Sequence, residues 1–348
     1  MSLTVQITSP HHVEVIDQPA PELRPGQVRV RTSFSGISAG TELTAYRGSN
    51  PYLNRSWDPD QRLFVDDTTG VGYPLAGLGY SEVGQVVEVA PDVADDPNLP
   101  PVGAQVWGIW GHRSEAVLPA EKLRGCMVPA GLAPIAATFA RVGAVALNAV
   151  LAADVHLGET VAVFGQGVLG LLTTRLVRLN GGTVVAVDAV PGRLEKALEY
   201  GADIVLDARD GTVATQIRKF TDGRGADVAI EISGSYPALH EAIRSVAVNG
   251  RVVASGFYQG DGMGLRLGDE FHHNRVGLIC SQIGGVPPAV AGRWDQIRLN
   301  QTFLRLATDQ QIDPAGLITH VIPVREAAAA YDMLDRSPHE ALQVVLTF

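Results

Sequence analysis

The 348 residues include two cysteines, Cys126 and Cys280. A disulfide framework is excluded, and so is a four-cysteine structural zinc site. Basic runs are missing too. Lys and Arg number 27 against 37 acidic residues, a formal net charge of −10, which gives a polyanion no footing, so nucleic acid is not an expected partner. The apolar run Ala144–Ala153 falls short of the ~20 residues a bilayer requires. The opening MSLTVQITSPHHVEV alternates like a strand and lacks the charged-then-apolar order of a secretory leader. The expectation is a cytoplasmic protein with no membrane partner. Apolar content, by contrast, is ample at 46% of residues, enough for a large core and, at this length, for two domains.

Two textures divide the chain. Up to about Arg124, Gly and Pro punctuate short alternating stretches such as Gln27–Ser35 and Gln85–Ala90, the pattern of an antiparallel β region. An Ala-rich helical stretch follows over Ala133–Ala153. From Glu159 onwards, short apolar runs (ETVAVFG, TVVAVDA, DIVLDA, DVAIEIS, RVVASGF, VGLICSQ) alternate with helix-length segments, which predicts a parallel sheet covered on both faces. Past Asn300 come a helix, LITHVIPV, the helix REAAAAYDMLDR and the strand ALQVVLTF, elements able to return to the first domain. The expected fold is α/β: a Rossmann doubly wound sheet over 131–305, and a β-rich domain built from 1–130 and 306–348.

The sharpest motif lies in VAVFGQGVLG, where Gly165, Gly167 and Gly170 hold G-x-G-x-x-G spacing between a strand and a helix. Such a loop turns tightly, lets a pyrophosphate approach and packs helix on strand, while the helix N-terminus offers N–H groups and positive dipole. The cofactor-binding set therefore includes Gly165, Gln166, Gly167, Val168, Leu169 and Gly170. Asp188 ends the next strand about 20 residues on, where a carboxylate accepts bonds from an adenosine ribose and repels a 2′-phosphate. NAD is accordingly expected over NADP. Arg193 leaves two options open: it covers the adenine or leans toward a phosphate, or it is a solvated residue in the first turn of a helix. Ser233-Gly234, Ser255-Gly256 and Cys280-Ser281-Gln282 close strands at the carboxyl edge of the sheet, where ligands of open α/β folds bind.

The β-rich start, the GQGVLG fold in the middle and the C-terminal return together resemble the medium-chain dehydrogenase/reductase superfamily along essentially the whole chain. The loops SGISAGTEL and PLAGLGYSEVG resemble a zinc-free subgroup that includes the bacteriochlorophyllide (hydroxyethyl) dehydrogenases. The resemblance implies a GroES-like catalytic domain and hydride exchange between a nicotinamide and an alcohol or ketone. It also implies that Ser233, Gly256, Ser281 and Gln282 lie where the nicotinamide ribose and carboxamide are held, and that a homodimer or homotetramer pairs through an edge strand near Val276–Gln282.

In zinc-containing members the two loops read G-I-C-G-T-D and G-H-E-x-x-G, and a third ligand is the Glu of E-P-L-x-V-A-x-H. Here Ser38 stands for the cysteine, Tyr80 for the histidine and, through ARVGAVALNAV, Arg141 for the glutamate. Zinc wants thiolate, imidazole or carboxylate. The other candidates, His112, His272, His273 and Glu42, show no ligand spacing beyond the adjacent His272-His273 pair, so no metal is expected. Without a metal, the developing alkoxide needs fixed donors or charge. Tyr80 and Ser38 would supply hydroxyls and Arg141 a cation that makes the phenol a better base. Thr41 and Glu42 would line the nicotinamide side, with Trp107, Trp110 and His112 walling a substrate pocket. The expected enzyme is a zinc-independent oxidoreductase acting on a small-molecule secondary alcohol or its ketone, whether specialised metabolite, cyclitol or sugar. Alternatives are an NADPH-dependent quinone or enoyl reductase, and a non-catalytic dinucleotide-binding protein.

Overall fold

A computed structural model describes residues 1–66 and 72–348. It forms two compact units, one of residues 1–141 with 304–348 and the other of residues 142–303. The first boundary falls within the helix Ala140–Ala153 rather than near residue 130, because the helix runs without a break from one unit into the other. With the 3-10 turn before it, this stretch reaches 20 residues over Pro134–Ala153, with a hydropathy of 1.7. That exceeds the length the apolar run alone suggested. Its residues are mostly buried inside the fold, so its apolar character is that of a core helix.

Six parallel strands build the sheet of the second unit in the order Ile204–Asp207, Thr183–Asp188, Thr160–Phe164, Ala226–Glu231, Val246–Ala254 and Gly277–Cys280. Thr160–Phe164 is buried at every position, as a strand covered on both faces must be. Phe164, Val185, Ile217, Leu239, Ile243 and Val252 share one core cluster; truncating Phe164 to Ala would cost about 3–5 kcal/mol. The strand order reverses between Thr160–Phe164 and Ala226–Glu231, so the loops after these two strands open side by side at the switch point.

In the first unit, Gln27–Gly36 lies between Gln343–Thr347 and Glu82–Val89, with Gln105–Gly108 beyond the latter and Ile318–Pro323 beyond the former. Glu115–Pro119 also pairs with Gln27–Gly36. The returning C-terminal strand sets Val345 opposite Gly36, completing the β-rich domain as the chain order suggested. The helices Ala39–Arg47 and Ala327–Arg336 bring Leu43, Tyr46 and Tyr331 into a core with Val5, Ile7 and Ile37. This return brings Tyr331 next to the loop that carries Ser38.

Candidate active site

Three segments of the first unit bring the expected catalytic residues together. Ser38 caps the helix Ala39–Arg47 just past the central strand, Tyr80 follows Gly79 before the strand Glu82–Val89, and Arg141 stands at the start of Ala140–Ala153. Gly79 has φ +105°, a conformation side chains rarely take, and the turn it makes presents Tyr80. The hydroxyls of Ser38 and Tyr80 hydrogen-bond directly. Burial raises the Tyr80 phenol above its ordinary pKa, although bonds from Ser38 and Thr41 and the charge of Arg141 pull the other way. Burial likewise lowers the Arg141 guanidinium, with Tyr80 opposing. The expected influence of Arg141 on the phenol is present, but desolvation outweighs it, so the phenol keeps its proton at neutral pH.

These residues do not fit zinc. A guanidinium has no lone pair to give a metal and carries positive charge itself, and the two hydroxyls are committed to each other. Among the described residues no group of three His, Cys, Asp or Glu side chains converges as a metal site.

The expected pocket walls are interior residues. Trp110 packs with Val28, Val86 and Leu123, and its ring nitrogen donates to Thr32 Oγ1 at 2.9 Å. Trp107 lies in a second cluster with Val83 and Cys126. Glu42 and His112 are 2% and 1% exposed and bond each other, Nε2 to Oε2, at 2.8 Å. Trp107 takes an inward position on the strand Gln105–Gly108, and hydrogen bonds hold Trp110, His112 and Glu42 inside. Of the expected set, Thr41 stays beside the Tyr80 hydroxyl. The sequence reading missed Ser35, Glu82 and Tyr331. Ser35 and Glu82 join His112 on one side, and the Tyr331 hydroxyl donates to Glu42 on the other. Glu82 gave a local signal, an acid opening an apolar strand; Tyr331 gave none.

In the second unit the glycine loop divides its labour. A Cβ on Gly170 would lie 1.7 Å from the Gly165 carbonyl oxygen, whereas one on Gly167 would meet nothing within 4 Å. Gly170 thus lets the helix Val168–Leu179 pack against the loop, and Gly167 leaves the space a pyrophosphate would fill. Val168 and Leu169 form the first turn of that helix. The side chain of Gln166 turns inward, donating to Val163 O at 2.9 Å and accepting from Thr174 Oγ1 at 3.0 Å, so it shapes the loop from within. Asp188 accepts the Gln166 N–H at 2.5 Å and the Val190 N–H at 2.8 Å, and carboxylate lone pairs remain for ribose hydroxyls. Arg193 sits half-buried in the first turn of Pro191–Glu199.

At the carboxyl edge, Ser281 Oγ lies 2.6 Å from Ser255 Oγ. Gly256 packs against Gly234 so closely that a Cβ there would come within 2.2 Å of its nitrogen. The exposed Gln282 accepts the Gly284 N–H at 2.5 Å. The hydroxyl of Ser233 donates to Glu231, a fully buried carboxylate whose pKa burial raises. Glu231 also accepts from Gly234 N at 3.2 Å and from the Tyr258 hydroxyl. Sequence alone gives Glu231 no signal beyond its place in the run DVAIEIS.

Residues 168–290 match the family described as zinc-binding dehydrogenase. The chain is 27% identical to D-guloside 3-dehydrogenase of Escherichia coli (strain K12) over 351 aligned positions, 98% of each chain. It is 30% identical to (R,R)-butanediol dehydrogenase of Bacillus subtilis (strain 168) over 293 positions, 79% of this chain and 80% of that one. An alcohol dehydrogenase of Escherichia coli CFT073, solved in complex with NADH, shares the fold at a TM-score of 0.79 and 20% identity, covering 100% of this chain and 99% of that one. The glycine loop, the switch point and these relatives lead to one conclusion: the chain belongs to the medium-chain, zinc-binding-type alcohol dehydrogenase superfamily and is an oxidoreductase of the polyol and alcohol dehydrogenase kind.

Proposed function

We propose that this chain is a zinc-independent, NAD-dependent dehydrogenase, of the zinc-free type that includes the bacteriochlorophyllide dehydrogenases. Its substrate is a secondary alcohol or the corresponding ketone, of a polyol, sugar or related metabolite. The observation that carries the reading is the Ser38–Tyr80 hydroxyl pair with the charge of Arg141 acting on the phenol, all three at positions where zinc-dependent members hold metal ligands. A nicotinamide bound at the glycine loop supplies or accepts the hydride. In ketone reduction Tyr80 donates its proton to the carbonyl oxygen, Arg141 steadies the phenolate left behind, and the Ser38 hydroxyl relays the one proton that solvent supplies back to the phenol. Asp188 selects NAD by accepting the ribose hydroxyls and repelling a 2′-phosphate.

The relatives that act on guloside and butanediol support a substrate with a hydroxyl-bearing secondary carbon. A cytoplasmic homodimer or homotetramer, paired along the edge strand Gly277–Cys280 where Leu278 is exposed, completes the proposal. The test is NADH oxidation against a panel of ketosugars, cyclitol ketones and diketones, with wild type and Tyr80→Phe compared. Turnover in the wild type that falls in the variant supports the reading; bound NADH with no turnover on any ketone contradicts it.

A further inference from the structure

Directly behind the hydroxyl pair lies a buried cluster for which the proposed reaction has no use so far. Both ring nitrogens of His112 face oxygen: Nε2 lies 2.8 Å from Glu42 Oε2 and Nδ1 lies 2.5 Å from Ser35 Oγ. The Ser35 hydroxyl donates to Glu82 Oε1 at 3.0 Å. With that proton committed to Glu82, both imidazole nitrogens are left to donate, which is the arrangement of an imidazolium. Burial opposes charge on His112, but Glu42, and after it Glu82, hold its pKa above the ordinary imidazole value. The groups that face the ring are Glu42 from the helix Ala39–Arg47, Glu82 from the strand Glu82–Val89 and Tyr331 from the helix Ala327–Arg336, whose ring meets it edge-on at 6.5 Å.

The same cluster reaches both loops of the hydroxyl pair. Glu42 Oε1 accepts the backbone N–H of Ser38 at 2.8 Å. On the Tyr80 side, the His112 N–H donates to Leu78 O at 2.8 Å. Gly79 lies so close over the cluster that a Cβ there would come within 2.7 Å of Glu82 Oε1 and 2.8 Å of the His112 ring. One side chain and its backbone thus tie the segment before Tyr80 to the segment that begins at Ser38.

We propose that His112 is a positioning residue for hydride transfer: by bridging Glu42 and, through Ser35, Glu82, it holds the Ser38 and Tyr80 loops so that their hydroxyls meet. This rests on the reading of Tyr80 as proton donor. The positive charge is present below the raised pKa of His112 and is lost as pH rises through it, so the hold weakens on the alkaline side. Glu42→Gln removes the nearest anion, lowers that pKa and moves the alkaline limb of kcat to lower pH.

The experiment measures kcat and KM for ketone reduction across pH in His112→Gln, Glu42→Gln, Tyr331→Phe and Tyr80→Phe, with thermal melts and NADH affinity for each. The expected result is a fall in kcat of up to ~10²-fold in His112→Gln, the scale on which misplaced groups cost rate, with NADH affinity unchanged. Glu42→Gln should shift the alkaline limb. Tyr331→Phe, which keeps the core ring and removes one donor to Glu42, should lose less rate. Should His112→Gln not fold, the pH limb of Glu42→Gln and the rate of Tyr331→Phe decide the matter. Folded variants with wild-type kcat and an unmoved limb, beside an impaired Tyr80→Phe, overturn the role of His112 and leave the Tyr80 reading standing. Full turnover in Tyr80→Phe overturns that reading and the role of His112 with it.

Discussion

Tyr80 is governed by two opposed effects of similar origin. Burial takes the phenolate out of water and raises the pKa; the hydroxyls of Ser38 and Thr41 and the cation of Arg141 stabilise the phenolate and lower it. Burial wins, which favours a residue that keeps its proton until a carbonyl oxygen takes it. Tyr80→Phe is expected to cut kcat by about 10² to 10³, the usual cost of losing one donor to a developing oxyanion, while NADH titration shows unchanged affinity. Arg141→Ala removes a lowering influence, so the phenol rises further and the pH optimum of alcohol oxidation should move to the alkaline side, read from kcat profiles of a variant shown to be folded. That Ser38, Tyr80 and Arg141 belong together was legible in the sequence because each lies inside a short local motif. Ser35, Glu82 and Tyr331 were not, since only the antiparallel pairing of Gln27–Gly36 with Glu82–Val89 and the return of the C-terminal helix bring them to His112. Trp107 and Trp110 pack in core clusters, a placement that an aromatic cluster in the sequence leaves open beside a pocket wall.

The strand–loop–helix from Thr160 to Leu179 makes two glycines do opposite work, and a matched pair of variants separates them. Gly170→Ala forces a Cβ into the Gly165 carbonyl, so the melting temperature and NADH affinity should both fall. Gly167→Ala has space around it; it should melt like wild type and lose NADH affinity alone, because the added methyl takes up room meant for the pyrophosphate. Equal melting temperatures with equal affinities would remove the dinucleotide from this loop. The next strand tests cofactor choice. Asp188→Ser should narrow or reverse a preference for NADH over NADPH in kcat/KM, and a wild type that already prefers NADPH would assign the choice to another group. These elements were readable in advance because Val-rich buried runs and glycine spacing are local signals. Glu231 was not, as its role depends on Ser233, Gly234 and Tyr258 folding around one strand end.

At the scale of the molecule, composition and topology point the same way. Two cysteines cannot furnish a four-cysteine structural site, and the three positions that the proposal matches to zinc ligands of the superfamily carry a hydroxyl, a phenol and a guanidinium. The C-terminal return was foreseen from element order, whereas the boundary inside Ala140–Ala153 was hidden because one continuous helix crosses it. The central claim is that this arrangement of hydroxyls and a cation replaces the metal. Its most direct test is kcat on the best ketone measured against zinc content in one preparation, before and after dialysis with a chelator and after zinc is added back. Full turnover at substoichiometric zinc, unchanged by either treatment, is the expected result; turnover that disappears with the metal and returns in proportion to zinc bound would contradict it.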